Sequence, residues 1–370
     1  MRSVCFIHKD ITDIDRGGLC VLFKNLIVGF RDEGWNVSCI SSRDLTIHGI
    51  SIYKIPEIKD PLQYSEEVTK IIEKIKPDLA ECSNWRFELL NYARKYGKET
   101  RKTKVVIRCD PPATTLFPEL TEFSNYEKEL CSKADLLIAV SKFSRDETNK
   151  QYGTSNVKVV YNGISLVKKT LLDKEITLSS GEYATDFYGD YKLLRGKKID
   201  ELIDPEKTNV FWVGKSTKMK GFDYLLKLIE NSPSNFKYII NLGHARNGIE
   251  FPKTSYKNML LIRDLDRSDQ FRLWSKTNIF LATSRSEGLG IVVSEALSLG
   301  LPVILNNECV AYKEFLPNRA IKLLEIEDCD KVYEAISRMS KRRYALNNIP
   351  VRFTITEMIE KTTNYYESIL

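Results

Sequence analysis

The chain has no C-x-x-C pair, and its eight cysteines stand singly, several of them inside apolar runs. With only three histidines, His8, His48 and His244, it has little from which to build a zinc site, and no metal is expected. The scattered thiols fit a reduced, cytoplasmic protein rather than a disulfide-stapled secreted one. No apolar run approaches the roughly 20 residues that a membrane-spanning helix requires. The first residues, MRSVCFIHKD, lack the layout of a signal peptide and read as a strand from the outset. The net charge is +6, short of the density that marks a nucleic-acid binder, and no DNA- or RNA-binding signature accompanies it. There is no G-x-G-x-x-G fingerprint after the first strand and no Walker A loop. Gly243-His-Ala-Arg-Asn-Gly248 lacks the lysine that such a loop needs.

What is present is the composition of a globular enzyme, 42% hydrophobic and 29% charged, in a length that suits about two domains. Short apolar runs alternate with helical patterns throughout, as in parallel α/β architecture. Strands are expected at Val4–Ile7, Val37–Ile40, Leu79–Glu81, Val105–Arg108, Leu136–Val140 and Val157–Tyr161. A second set is expected at Val210–Val213, Tyr238–Asn241, Leu260–Ile262, Ile279–Ala282, Pro302–Leu305 and Ala320–Leu323. Leu19, Leu22, Phe23, Leu26, Ile27 and Phe30 recur on one helical face, and Gly34 ends that helix. Helices are also expected at Phe222–Glu230 and Ile291–Leu299, and an amphipathic one over 353–370. The polar, weakly periodic residues 167–208 read as a linker with some local structure. The expected domains are therefore 1–166, with helix 353–370 packing back on it, and 209–352. Two doubly wound halves imply a cleft between them, with ligands at the carboxyl ends of the strands.

Two stretches carry the chemistry. In Ser284-Arg-Ser-Glu-Gly-Leu-Gly-Ile-Val-Val-Ser-Glu295 a strand runs through a glycine-rich turn, Gly288-Leu289-Gly290, into a helix that begins at Ile291. Such a turn lets a ligand approach the backbone, and the free N–H groups of the first helical turn suit a phosphate. Glu287 and Glu295 flank it. Beside a bound phosphate a carboxylate repels the anion and serves better as an acceptor for sugar hydroxyls. The spacing suggests a phosphate bracketed by two polyols, ribose on one side and a sugar on the other. The competing reading is a plain strand–turn–helix with solvated glutamates. The second stretch, Val213-Gly-Lys-Ser-Thr-Lys-Met-Lys-Gly221, ends another strand in Gly214 and three lysines, Lys215, Lys218 and Lys220, suited to neutralising a diphosphate.

Together these stretches resemble the donor-binding half of the retaining GT-B glycosyltransferases of family 4, also called group 1. That family's pattern G-R-x-x-x-x-K-G-x-x-x-L is matched by Gly214, Lys215, Lys220, Gly221 and Leu225, with lysine for the usual arginine. Its pattern E-G-[FL]-G-x-x-x-x-E-A-x-x-x-G-x-P-V is matched by Glu287, Gly288, Leu289, Gly290, Glu295, Ala296, Gly300, Pro302 and Val303. In the first half, Gly17-Gly18 resembles the family's acceptor-side glycine loop. Ala134–Ser141 and Tyr161-Asn-Gly-Ile164 resemble its A-D-x-[VI]-x-x-x-S and N-G-[VI]-D segments.

The resemblance implies two Rossmann-like domains and transfer of a sugar from a nucleotide diphosphate-sugar, with UDP the commonest carrier, to an acceptor hydroxyl of a glycan, glycolipid or glycoconjugate. It implies that Lys215 and Lys220 hold the donor phosphates and that Glu295 accepts from the ribose hydroxyls. Glu287 and the amides of Gly288, Leu289, Gly290 and Ile291 would hold the donor sugar and its phosphate. Arg263–Leu265 would contact the base, and Gly17 and Gly18 would lie near the diphosphate and acceptor. It further implies leaving-group stabilisation by lysines and a helix N-terminus, with no metal or other cofactor, and front-face chemistry without an enzyme nucleophile.

The main departure is Arg108-Cys109-Asp110-Pro111-Pro112, where the family often has R-L-H with the histidine beside the donor sugar. An ionised Asp110 accepts but does not donate hydrogen bonds. Either Asp110 meets a different hydroxyl pattern, or other groups place the sugar, or Asp110 only shapes the turn before two prolines. Asn278 and Ser165 stand where the family has aspartates. Asp264-Leu-Asp266 imitates a metal-binding D-x-D but reads as a loop. Residues 94–108 hold seven basic residues against one acidic, which reads either as a solvated face or as a peripheral contact with an anionic membrane or acceptor. Two rival readings remain: a catalytically silent sugar-nucleotide-binding or scaffold protein, and a sugar-nucleotide epimerase or hydrolase of the same fold.

Overall fold

The apolar runs become two sheets, one parallel and one mixed, each in its own compact unit. One unit comprises Met1–Ser165 and Pro350–Leu370, the other Leu166–Ile349. The computed structural model describes residues 2–12, 17–172, 177–184, 191–242 and 256–370. The segment Gly243–Gly248, with His244, lies outside the described residues.

In the first unit the strands are β1 (Ser3–Ile7), β2 (Asn36–Ser41), β3 (Ser51–Lys54), β4 (Leu79–Ser83), β5 (Lys104–Cys109), β6 (Leu136–Ala139) and β7 (Val157–Val159). Their order is β3-β2-β1-β4-β5-β6-β7, and every pairing is parallel. Parallel strands covered on both faces need continuous apolar runs, and β4 is buried at every position. The helix Gly18–Asp32 buries Leu22, Phe23, Leu26, Ile27 and Phe30, the face read from their spacing. Cys5, Cys39, Cys82, Cys109 and Cys131 are free and buried, filling space as small apolar groups; burial pushes the Cys5 thiol up to about 12.

The chain leaves this unit and returns to it through a parallel bridge between Ile164 and Thr354, where Ile164 N donates to Phe353 O at 2.9 Å. The returning helix Ile355–Glu367 belongs to the first unit and ends over its core. There Tyr366 stacks on Phe30 (5.1 Å between centroids) and donates its hydroxyl to the buried carboxylate of Glu81. Glu81 in turn pairs with Arg108 at 2.8 Å, both fully buried.

The second unit contains β8 (Glu182–Ala184), β9 (Lys192–Leu193), β10 (Thr208–Val213), β11 (Phe236–Asn241), β12 (Met259–Arg263), β13 (Ile279–Ala282), β14 (Val303–Asn306) and β15 (Ile321–Leu324). Their order is β15-β14-β13-β10-β11-β12-β8-β9. The six later strands pair in parallel, whereas β8 runs antiparallel to β12 and β9 antiparallel to β8. Residues 167–208, read from the sequence as a linker, thus supply a two-stranded ribbon that extends the sheet. Both units are doubly wound and Rossmann-like. In each, the strand order reverses at an inner pair, β1/β4 in the first and β10/β13 in the second. Such a reversal opens a crevice at the strands' carboxyl ends.

Candidate functional site

The two chemistry-bearing stretches follow β10 and β13, the neighbouring strands at the reversal in the second unit. Thr283, at the end of β13, ties them together. Its hydroxyl donates to Lys220 O at 2.9 Å and accepts from the Trp212 indole at 3.0 Å. Arg285 N donates to Met219 O at 2.8 Å, and the Arg285 guanidinium donates to Lys218 O at 2.7 Å and pairs with Asp223 at 2.6 Å. The lysine loop lies so close that a Cβ on Gly221 would sit 1.9 Å from Thr283 O, and Gly221 adopts φ +63°. Only glycine fits there. The helix Phe222–Glu230 begins immediately after it.

This clamp brings Lys220 and Glu287 together across a sequence gap that no local pattern reveals. Lys220 Nζ donates to Glu287 Oε1 and Oε2 at 2.6 and 2.7 Å, and Ser284 Oγ donates to Oε1 at 2.7 Å. An ammonium has three donors. Two are engaged with Glu287, which leaves the third. Gly214 ends β10, and Lys215 beyond it is exposed, its ammonium without an ion pair among the described residues. Gly288, Leu289 and Gly290 form the turn, with Gly290 at φ +92° as the residue before the helix Ile291–Ser298. Leu289 and Ile291 are buried, so their side chains are spent on packing. The N–H groups of this first turn and the helix dipole favour an anion.

Glu295 differs from its expected surroundings. It is 1% exposed and forms an ion pair with Arg267, a residue that belongs to no motif. Its carboxylate is therefore already shared before any hydroxyl reaches it. At the end of β12, Arg263 Nε donates to Glu182 Oε2 at 2.7 Å, and its guanidinium lies 3.7 Å from the centroid of the Tyr191 ring. Leu265 is buried. Asp266 caps the helix Arg267–Lys276 by accepting from Asp269 N at 2.8 Å, which accounts for the second aspartate of the D-x-D imitation. Among the described residues no group of three or more His, Cys, Asp or Glu is disposed to hold a metal ion.

The remaining singled-out residues belong to the first unit. Gly17, at φ +132°, precedes the helix that Gly18 begins, and a Cβ on Gly17 would meet nothing within 4 Å. Asp110 follows β5, and the Asn84 side-chain amide pins its backbone by accepting from Asp110 N at 2.9 Å and donating to Asp110 O at 3.3 Å. Glu127 supports the same turn. It accepts from Ala113 N at 2.9 Å and from the Tyr152 hydroxyl, and burial pushes its carboxyl up to about 7. Of the basic run 94–108, Arg94 pairs with Glu129, Lys95 with Glu73, Arg101 with Asp135 and Arg108 with Glu81. The run thus presents less positive charge than its sequence suggests. Among the described residues no helix is long and apolar enough to cross a membrane.

Comparison with known proteins gives matches to both halves of the chain. Residues 196–348 match the family model of the glycosyl transferases group 1, and residues 16–168 match that of glycosyltransferase family 4. An uncharacterized 41.2 kDa protein in the cps region of Klebsiella pneumoniae is 27% identical over 255 residues, 65% of this chain and 64% of that protein. The O-antigen biosynthesis glycosyltransferase WclY of Escherichia coli is 28% identical over 166 residues, 41% of this chain and 44% of WclY. The matched stretches therefore span less than two thirds of either relative. Among solved structures, HepE of Anabaena in complex with UDP-glucose has the same fold, with a TM-score of 0.75 at 14% identity and all of both chains covered.

Proposed function

We infer that the chain is a glycosyltransferase of the group 1 kind, built on the GT-B fold, and that it moves a sugar from a nucleoside diphosphate-sugar to an acceptor hydroxyl, retaining the anomeric configuration. The observation that carries this reading is the Lys220–Glu287 pair at the β10/β13 reversal, beside the N-terminus of the helix Ile291–Ser298. Breaking the anomeric C–O bond places negative charge on the departing diphosphate. Lys215, the third donor of Lys220 and the amides after Gly290 meet that charge, so the reaction needs no metal. Glu287 holds Lys220 in place and offers its remaining acceptor capacity to hydroxyls of the donor sugar, while Glu295 accepts from the ribose. For the first unit, the proposal retains Gly17 and Gly18 on the acceptor side and Asp110 as a contact of the transferred sugar.

UDP is the proposed carrier, in keeping with the UDP-glucose bound by HepE. The acceptor is proposed to be a glycan or lipid-linked glycan, in keeping with the O-antigen role in the name of WclY. Eight free cysteines support a cytoplasmic setting. The test is to incubate the protein with a panel of sugar nucleotides and glycan acceptors, measuring released nucleoside diphosphate and the anomeric configuration of the product. At least one donor is turned over with retention, and Lys220→Ala lowers its rate on the order of a hundredfold or more. Unchanged turnover by Lys220→Ala would contradict the assignment, and binding without transfer would leave a silent sugar-nucleotide-binding protein.

A further inference from the structure

We propose that Tyr312 is a positioning residue of the donor site: its buried hydroxyl takes the place of one Lys220 donor on the Glu287 carboxylate, so that the ammonium turns two donors to the diphosphate. This rests on the diphosphate binding at β10 and β13 proposed above. Tyr312 belongs to neither motif and reaches the site from a third strand. β14 pairs in parallel with β13, and Asn306 at its end donates from Nδ2 to Thr283 O at 3.2 Å. The chain then enters the short 3-10 helix Val310–Phe315, in which Tyr312 N donates to Cys309 O at 3.0 Å. The Tyr312 ring packs against the glycine turn so closely that a Cβ on Gly290 would sit 2.8 Å from Tyr312 Cε1.

Tyr312 is fully buried, yet its hydroxyl has no hydrogen-bond partner among the described residues. Its polar neighbours include Ser284 and Glu287, and burial together with the Glu287 carboxylate keeps the hydroxyl protonated. A ring needed only for packing is served by phenylalanine, since an unpartnered buried hydroxyl is destabilising. The hydrogen bonds on Glu287 account for its presence. Oε1 accepts from Lys220 Nζ at 2.6 Å and from Ser284 Oγ at 2.7 Å, whereas among the described residues Oε2 accepts only from Lys220 Nζ, at 2.7 Å. A diphosphate bound beside Lys220 competes for that ammonium, whose side chain is 23% exposed and has a flexible stem. One donor stays on Oε1 and holds Lys220 in place, while the donor on Oε2 goes to the phosphate. Oε2 is then a bare acceptor on a side chain only 12% exposed. The Tyr312 hydroxyl meets it with a charge-assisted hydrogen bond. The free protein thus holds a donor in reserve, and the bound protein has the acceptor that needs it.

The test is made on Tyr312→Phe, by calorimetry with the tightest-binding of UDP, CDP, ADP, GDP and dTDP and by thermal melting without ligand. The variant is expected to bind the nucleotide about tenfold more weakly, because the released carboxylate oxygen finds no donor. Its melting temperature without ligand is expected to equal or exceed that of the wild type, because the hydroxyl it lacks was unpartnered. A structural hydroxyl would lower that melting temperature, and a ring that only packs would leave the affinity unchanged; either result overturns the proposal. In a Glu287→Ala background Tyr312→Phe is expected to change the affinity by less than about twofold, and a further tenfold loss there overturns it as well. Tyr312→Phe alone decides the matter should Glu287→Ala fail to fold. Failure of the functional reading looks different: the wild type binds none of the nucleotides, or Lys220→Ala binds them as tightly as the wild type does, and the proposal falls with it.

Discussion

Glu88 and His8 sit at the β1/β4 reversal of the first unit, and burial moves them in opposite directions. Burial pushes the Glu88 carboxyl up to about 8, although it accepts from Lys9 N at 2.7 Å and lies near Arg86, Asp10 and Lys9. Burial pushes the imidazole of His8 down to about 4. For Glu88 the folded state holds the proton more tightly than the unfolded chain. Its contribution to stability is therefore fully present below about 4.5 and is lost as pH rises to about 8. Glu127 acts in the same direction up to about 7. For His8 the unfolded chain binds the proton more tightly, so stability is lost as pH falls from about 6.5 to about 4. Above pH 7 the slope comes mainly from Glu88, with the end of the Glu127 titration beneath it. We expect the melting temperature of Glu88→Gln to fall less than that of the wild type between about pH 7 and 8.5, as followed by circular dichroism. An identical fall would mean that Glu88 is already ionised in the folded protein.

At the scale of elements, the helix Ile355–Glu367 depends on a buried polar triad. Tyr366 donates to Glu81, which pairs with Arg108, and neither charged group is exposed. Breaking such a network leaves a desolvated group unmatched. Tyr366→Phe keeps the stack on Phe30 and is expected to cost about 1–3 kcal/mol. Tyr366→Ala also loses the ring and is expected to cost about 3–5 kcal/mol. Urea unfolding followed by fluorescence checks both, with the loss confined to the transition of the first unit.

The central strands and the helices Gly18–Asp32 and Phe222–Glu230 were legible in the sequence because buried parallel strands and amphipathic helices write apolar runs and a helical period. The edge elements were not. β3 is Ser-Ile-Tyr-Lys with both ends exposed, and β8 and β9 are only three and two residues long, paired with β12 and with each other. The site was legible as residues but not as pairs. The two motifs pointed to Lys220 and Glu287, yet their contact depends on Thr283 and Gly221 folding one loop onto the other. The partner of Glu295, Arg267, is a single arginine behind a helix cap, which leaves no periodic or motif signal.

At the scale of the whole molecule, the chain has nearly balanced charge, and one of its loops places Lys215, Lys218 and Lys220 within six residues. Four of the seven basic residues of the run 94–108 are matched by carboxylates inside the first unit, and Lys215 and Lys218 are exposed beside the Lys220–Glu287 pair. Exposed cations at the carboxyl end of β10 suit an anionic ligand. A ligand that binds only the folded state must raise the melting temperature. The most direct measurement is thus the melting temperature of wild type and Lys220→Ala with and without a series of nucleoside diphosphates. The account predicts a concentration-dependent rise for at least one of them in the wild type and a much smaller rise in Lys220→Ala. No rise with any nucleoside diphosphate, or an equal rise in both proteins, would contradict it.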